Sequence, residues 1–147
     1  MVRGCRALRW AAAGVWACAT IYTATGPAAA EVVITVDKAT QHMTVMVDGS
    51  ERYTWAVSTG LAGGPPTGTY RPERLERTWY SHLFGMAPMP YSIFFRGPYA
   101  IHGTTAVSRL GTRASHGCVR LHPDNAATLF ALVQQQGPAN TRVVISP

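Results

Sequence analysis

Residues 31–147 predict a mainly β fold: a small sandwich or barrel-like domain of mixed sheets, with one short helix. Apolar residues recur with period two directly after Ala30, the pattern of half-buried strands. The stretch 60–90 is dense in glycine and proline and reads as long irregular connections with short strands. Only one segment, beginning at Pro123, carries apolar residues at helical spacing.

In chain order, "EVVITVD" (31–37) is a β-branched strand and "DKAT" offers a turn. "QHMTVMV" (41–47) follows as a second strand, with Met43, Val45 and Val47 on one face. "DGS" (48–50) is a hairpin signal, and "RYTWAVS" (52–58) returns antiparallel. "YSIFF" (91–95) and "YAIHG" (99–103) are short strand candidates. In the helix, Pro123 suits the first turn and Asp124 complements the dipole. Ala126, Leu129, Phe130 and Val133 form its apolar stripe, and Gly137-Pro138 ends it. "TRVVIS" (141–146) is a closing strand.

Residues 1–30 are set apart from this domain. Arg3, Arg6 and Arg9 precede an apolar run, then Pro27 and Ala28-Ala29-Ala30, the order of a secretory signal peptide cleaved after Ala30. The apolar run is too short and too interrupted to favour a membrane span, so none is expected once the leader is removed. Export to a periplasm or cell envelope is expected. The charge of +6 then falls to +3, because three of the thirteen Lys and Arg lie in the leader and all seven acids lie beyond it. No basic run with interleaved aromatics is present, which argues against a nucleic-acid partner.

Of three cysteines, Cys5 and Cys18 fall in the leader and leave Cys118 unpaired. A lone thiol in an exported domain is an inert buried residue, an intermolecular link or a reactive group. Its setting, "SHGCVR" (115–120), favours reactivity. A free thiol is only slightly ionised at neutral pH, and an imidazole within reach can take its proton to give a thiolate–imidazolium pair. His116 is close in sequence but tightly placed for in-line transfer; His102, on another segment, is the better acid–base candidate. No acid lies near either histidine, and the Gly103 carbonyl can orient the His102 ring instead. Gly117 permits close backbone approach, and the N–H groups of Gly117 and Cys118 are candidate oxyanion donors. His116 is a candidate substrate contact. Taken alone, His102 or Arg120 would read as an ordinary surface residue; together with Cys118 they form a constellation.

"IHGT" (101–104) followed by "SHGCVRL" (115–121) resembles the signature of the L,D-transpeptidases, the YkuD-type cysteine enzymes that cross-link peptidoglycan. The resemblance runs through "ITVDKATQHMTVMVDGSERYTWAVSTG", "PPTGTY" and "MPYSIFF", with Pro65 departing from the commoner threonine before Pro66. It implies a YkuD-like fold, Cys118 as nucleophile, His102 as its acid–base partner and Gly103 as the ring's anchor. Ser115, His116 and Gly117 would shape the oxyanion and acceptor side, with Arg120 nearby. It implies peptidoglycan stem tetrapeptides as substrate, a thioester intermediate, release of D-Ala, and no metal or organic cofactor. The acceptor would be a second stem, giving an L,D cross-link, an envelope lipoprotein, a D-amino acid or water, the last being L,D-carboxypeptidase chemistry. Three other readings compete: a zinc site from His102, His116 and Cys118, which lacks a fourth ligand; a non-catalytic wall-binding module; and a sortase-like ligase, whose arginine normally lies farther from the cysteine.

Overall fold

The computed structural model describes residues 29–147. The segment read as a leader, apart from Ala29 and Ala30, lies outside the described residues. The chain begins as a meander: β1 (Val32–Asp37), β2 (His42–Val47) and β3 (Ser50–Ala56) pair antiparallel in sequence. Asp37 makes the first turn by accepting the Ala39 and Thr40 N–H groups at 2.8 and 3.0 Å. The second turn has Asp48 and Gly49 both at positive φ, 49° and 76°, the type I′ geometry that matches strand twist. Two strand limits differ from the sequence reading. Gln41 sits at φ 57° with its side-chain amide bonded to Thr59, so β2 starts one residue later. β3 runs 50–56: past a bulge at Arg52 its start still pairs with Val47, and beyond Ala56 the chain leaves the sheet so that Ser58 bridges Arg120.

The final strand, β11 (Thr141–Ser146), lies parallel to β1. With β4 (Gly68–Tyr70) against it, the first sheet has the order β3-β2-β1-β11-β4. The second sheet contains β5 (Arg74–Glu76), β8 (Ser92–Arg96), β9 (Tyr99–Gly103) and β10 (Val119–Leu121), in the order β10-β9-β8-β5. Between β5 and β8 lies a small hairpin of β6 (Tyr80–Ser81) and β7 (Ala87–Pro88). The 60–90 stretch is therefore loops with four strands of two or three residues, as its composition predicts. Tyr91 lies at φ 56°, so β8 starts at Ser92.

The core fills the space between the sheets. Val32, Ile34, Val36, Met43, Val45, Val143 and Ile145 from the first sheet meet Ile93, Phe95, Ile101, Val119 and Leu121 from the second. Helix α1 (Pro123–Gln136) closes one side with Ala126, Leu129, Phe130 and Val133, the stripe visible in the sequence. His122 caps it, its Nδ1 accepting the Asp124 N–H at 3.3 Å. Side chains alternate across a strand, so the residues between these core positions face the opposite way. On the second sheet that outer face carries Phe94, Ala100, His102, Cys118 and Arg120.

Candidate active site

Cys118 lies just before β10, and β10 runs parallel to β9 with Val119 opposite Ile101 and Arg120 opposite His102. One step back in that register, Cys118 faces Ala100, and His102 is its diagonal neighbour on the same face. Pairing of two strands thus brings together side chains sixteen positions apart in the chain. Both line a cavity of about 680 Å³, together with Ser115, His116, Gly117 and Arg120. Gly103 is buried beneath the ring it orients.

His102 is 5% exposed, and its Nδ1 lies 2.8 Å from the Gly103 carbonyl oxygen. A carbonyl only accepts, so Nδ1 carries a proton and donates it, leaving the lone pair of the neutral ring on Nε2. Burial pulls the imidazole down from 6.5 to about 4; the Gly103 bond opposes this and the Arg120 guanidinium adds to it. Burial pushes the Cys118 thiol above its ordinary value, against smaller opposing pulls from the Ala100 amide and Arg120. The thiol donates to the Pro98 carbonyl at 3.6 Å. Both shifts favour a neutral thiol and a neutral imidazole, against the thiolate–imidazolium pair expected from sequence: desolvation outweighs the favourable partners of both charged forms. No hydrogen bond joins Sγ to the ring among the described residues.

The loop before Cys118 is held by its own hydroxyl. Ser115 Oγ donates to the Cys118 carbonyl at 2.5 Å and accepts the Gly117 N–H at 3.1 Å. The Gly117 N–H is thus engaged, a second correction to the expected oxyanion pair; the Cys118 N–H has no acceptor among the described residues. Gly117 adopts φ 143°, and a Cβ there would lie 3.0 Å from Tyr99 Cε1. The chain after β3 supports the loop: the Ala114 and Ser115 N–H groups bond the Thr59 carbonyl, and the Leu61 N–H bonds that of Ser115. Gly60 and Gly64 pack against Gly117 so closely that a Cβ on either would lie 3.0–3.1 Å from its Cα. Lys38, nearly buried, pins this supporting segment by donating to the carbonyls of Gly63 and Pro65 at 3.0 and 3.1 Å.

Arg120 donates to the Ala114 carbonyl at 3.2 Å while its guanidinium faces the thiol and the imidazole. His116 is exposed and stacks on Phe84 of the β6–β7 hairpin, with ring centroids 4.3 Å apart and planes 10° from parallel. Among the described residues no three His, Cys, Asp or Glu side chains converge in a way that would hold a metal ion. Nor is any described helix long and apolar enough to cross a membrane.

The far wall was not legible in the sequence. Arg74, Trp79, His82 and Phe84 line the cavity from the loop-rich stretch and the small hairpin. The sheet face to which each belongs depends on strand pairing.

This is a two-sheet β domain carrying a thiol and an oriented imidazole on the outer face of one sheet. Residues 31–145 match the family described as the L,D-transpeptidase catalytic domain (YkuD), and the chain belongs to that family. It is 45% identical over 53 residues to the probable L,D-transpeptidase YbiS of Escherichia coli (strain K12), covering 36% of this chain and 16% of that protein. YqjB of Bacillus subtilis (strain 168), whose name carries the same family term, is 28% identical over 127 residues, covering 77% of this chain and 70% of its own. An L,D-transpeptidase structure from Mycobacterium smegmatis superposes with a TM-score of 0.69 at 24% identity, covering 80% of this chain and 59% of that one. The chain thus spans a minor part of YbiS and little more than half of the mycobacterial structure.

Proposed function

We propose that this protein is an exported cysteine acyltransferase acting on peptidoglycan stem tetrapeptides, and that residues 1–30 are a cleaved leader directing it to the periplasm or cell envelope. One observation carries the chemistry: Nδ1 of His102 is committed to the Gly103 carbonyl, so a buried, unprotonated Nε2 remains for a thiol on the same sheet face.

Because both groups are neutral at rest, the proton moves as the sulfur attacks. Cys118 Sγ turns from the Pro98 carbonyl, gives its proton to Nε2 and bonds to the carbonyl carbon of the third stem residue. The oxygen of the tetrahedral intermediate takes the Cys118 N–H, in a site where Arg120 supplies positive charge. The C–N bond breaks, Nε2 returns its proton to the departing nitrogen, and D-Ala leaves. An acceptor amine then attacks the thioester, loses a proton to Nε2 and expels the thiolate, which is reprotonated. A neighbouring stem as acceptor yields an L,D cross-link; an envelope lipoprotein lysine, a D-amino acid or water would use the same thioester. Ser115 and Gly117 hold the loop geometry, and His116 with Phe84 borders the side from which a second peptide approaches.

Purified protein incubated with a stem tetrapeptide is expected to release D-Ala and to gain the mass of the acyl tripeptide on Cys118. Cys118→Ala is expected to abolish both signals. D-Ala release persisting in that variant would rule out the thioester route.

A further inference from the structure

We propose that Arg74 reads a carboxylate of the donor peptide, making it a specificity-determining residue of this site. The inference rests on the acyl-transfer reading above for the identity of the donor.

The cavity is one-sided in charge. Two guanidinium groups, Arg74 and Arg120, line it, and among the described residues no Asp or Glu does. Arg120 is committed beside the sulfur, where it bonds Ala114. Arg74 stands at the other end of a row running across the outer face of the second sheet. It pairs with Phe94, Phe94 pairs with Ala100, and Ala100 faces Cys118. The Arg74 guanidinium lies over the Phe94 ring, 4.1 Å from its centroid, and 4.4 Å from the centroid of Trp79. Two aromatic rings therefore hold the guanidinium in place before any ligand arrives.

Its one acceptor among the described residues is Glu76 Oε1 at 3.1 Å, reached through Nη1. Both side chains of that pair are substantially exposed, at 42% and 36%, where an ion pair holds weakly. A guanidinium has five N–H donors, so most of the fork stays open to a planar anion.

Position narrows the ligand. Phe94 is two strands from Cys118, so a guanidinium above its ring lies on the order of 10 Å from the sulfur. The carboxylate of the departing D-Ala is too near the scissile bond to span that gap. A side-chain carboxylate on the third stem residue, or one on the residue before it, is at the right reach.

The test uses binding, which needs no turnover, beside acylation. In the Cys118→Ala protein, calorimetry compares a tetrapeptide bearing free carboxylates with versions amidated singly at the second residue, at the third-residue side chain and at the C-terminus. The free form is expected to bind about tenfold more tightly than one of the two non-terminal amides. Adding Arg74→Gln is expected to bring that ratio close to one, and Arg74→Lys to keep part of it. A ratio unchanged by Arg74→Gln, or dependence on the C-terminal carboxylate, overturns the proposal. If the ratio behaves as expected but the unmodified protein never acylates, the catalytic reading fails while this one stands. If acylation proceeds and the ratio ignores Arg74, the reverse holds.

Discussion

At the residue scale, burial favours the neutral form of both Cys118 and His102. His102 stays unprotonated in the fold down to about pH 4, whereas the unfolded chain takes up that proton below its ordinary 6.5. Its contribution is full above 6.5 and is lost as pH falls towards 4, a loss of about 3 kcal/mol. Urea unfolding is expected to show the unmodified protein losing that much more stability between pH 7 and 4 than His102→Gln does. Equal losses would mean the ring is solvated. Cys118 has the opposite limb: its contribution is present below 9.0 and declines as pH rises beyond it. Alkylation by iodoacetamide is accordingly expected to accelerate through pH 9 with no plateau at neutrality; a neutral plateau would indicate a resting ion pair.

At the scale of the element, the loop 114–118 is shaped from outside its own sequence. Ser115 ties the loop to itself, and Gly60, Gly64 and Tyr99 close on Gly117. Gly117→Ala places a side chain at φ 143° and 3.0 Å from Tyr99, with a strain of about 1–3 kcal/mol. The acylation rate is expected to drop about tenfold or more if that strain moves the Cys118 amide. Pairing the change with Tyr99→Leu relieves the contact but not the φ, so the double variant should remain slow. Unmodified rates in Gly117→Ala would show that the loop geometry is not needed. Helix α1 and strands β1 and β11 were legible, because each has an uninterrupted apolar period and clear end signals, and β9 was legible as a short run between Pro98 and Gly103. The limits of β2, β3 and β8 were less so, because a bulge and positive-φ residues at Gln41 and Tyr91 carry no hydrophobic signal.

At the scale of the whole molecule, one core joins both sheets and the helix, and the site lies on the other face of the second sheet. The core and the candidate site are therefore carried by alternate residues of the same strands. Ile101 and Val119 face inward, while His102 and Cys118 face the cavity. Leu129, fully buried in α1, is expected to lose about 2–5 kcal/mol on truncation to alanine, read from urea unfolding. Acylation per folded molecule should stay near the unmodified rate, since Leu129 does not border the cavity. A matching fall in that rate would mean that the core and the site are coupled.

By itself the amino-acid order determined the strand-rich fold class, the single helix and the family, and it singled out Cys118, His102 and Gly103 as the candidate set, all local in period or motif. Tertiary structure alone decided that burial favours the uncharged thiol and imidazole, that the Gly117 amide is already engaged, and that Arg74 stands across the cavity. Those outcomes depend on which strands pair and how much water they exclude. Desolvation and cross-strand register are properties of the packed sheets, and no local stretch of sequence encodes them.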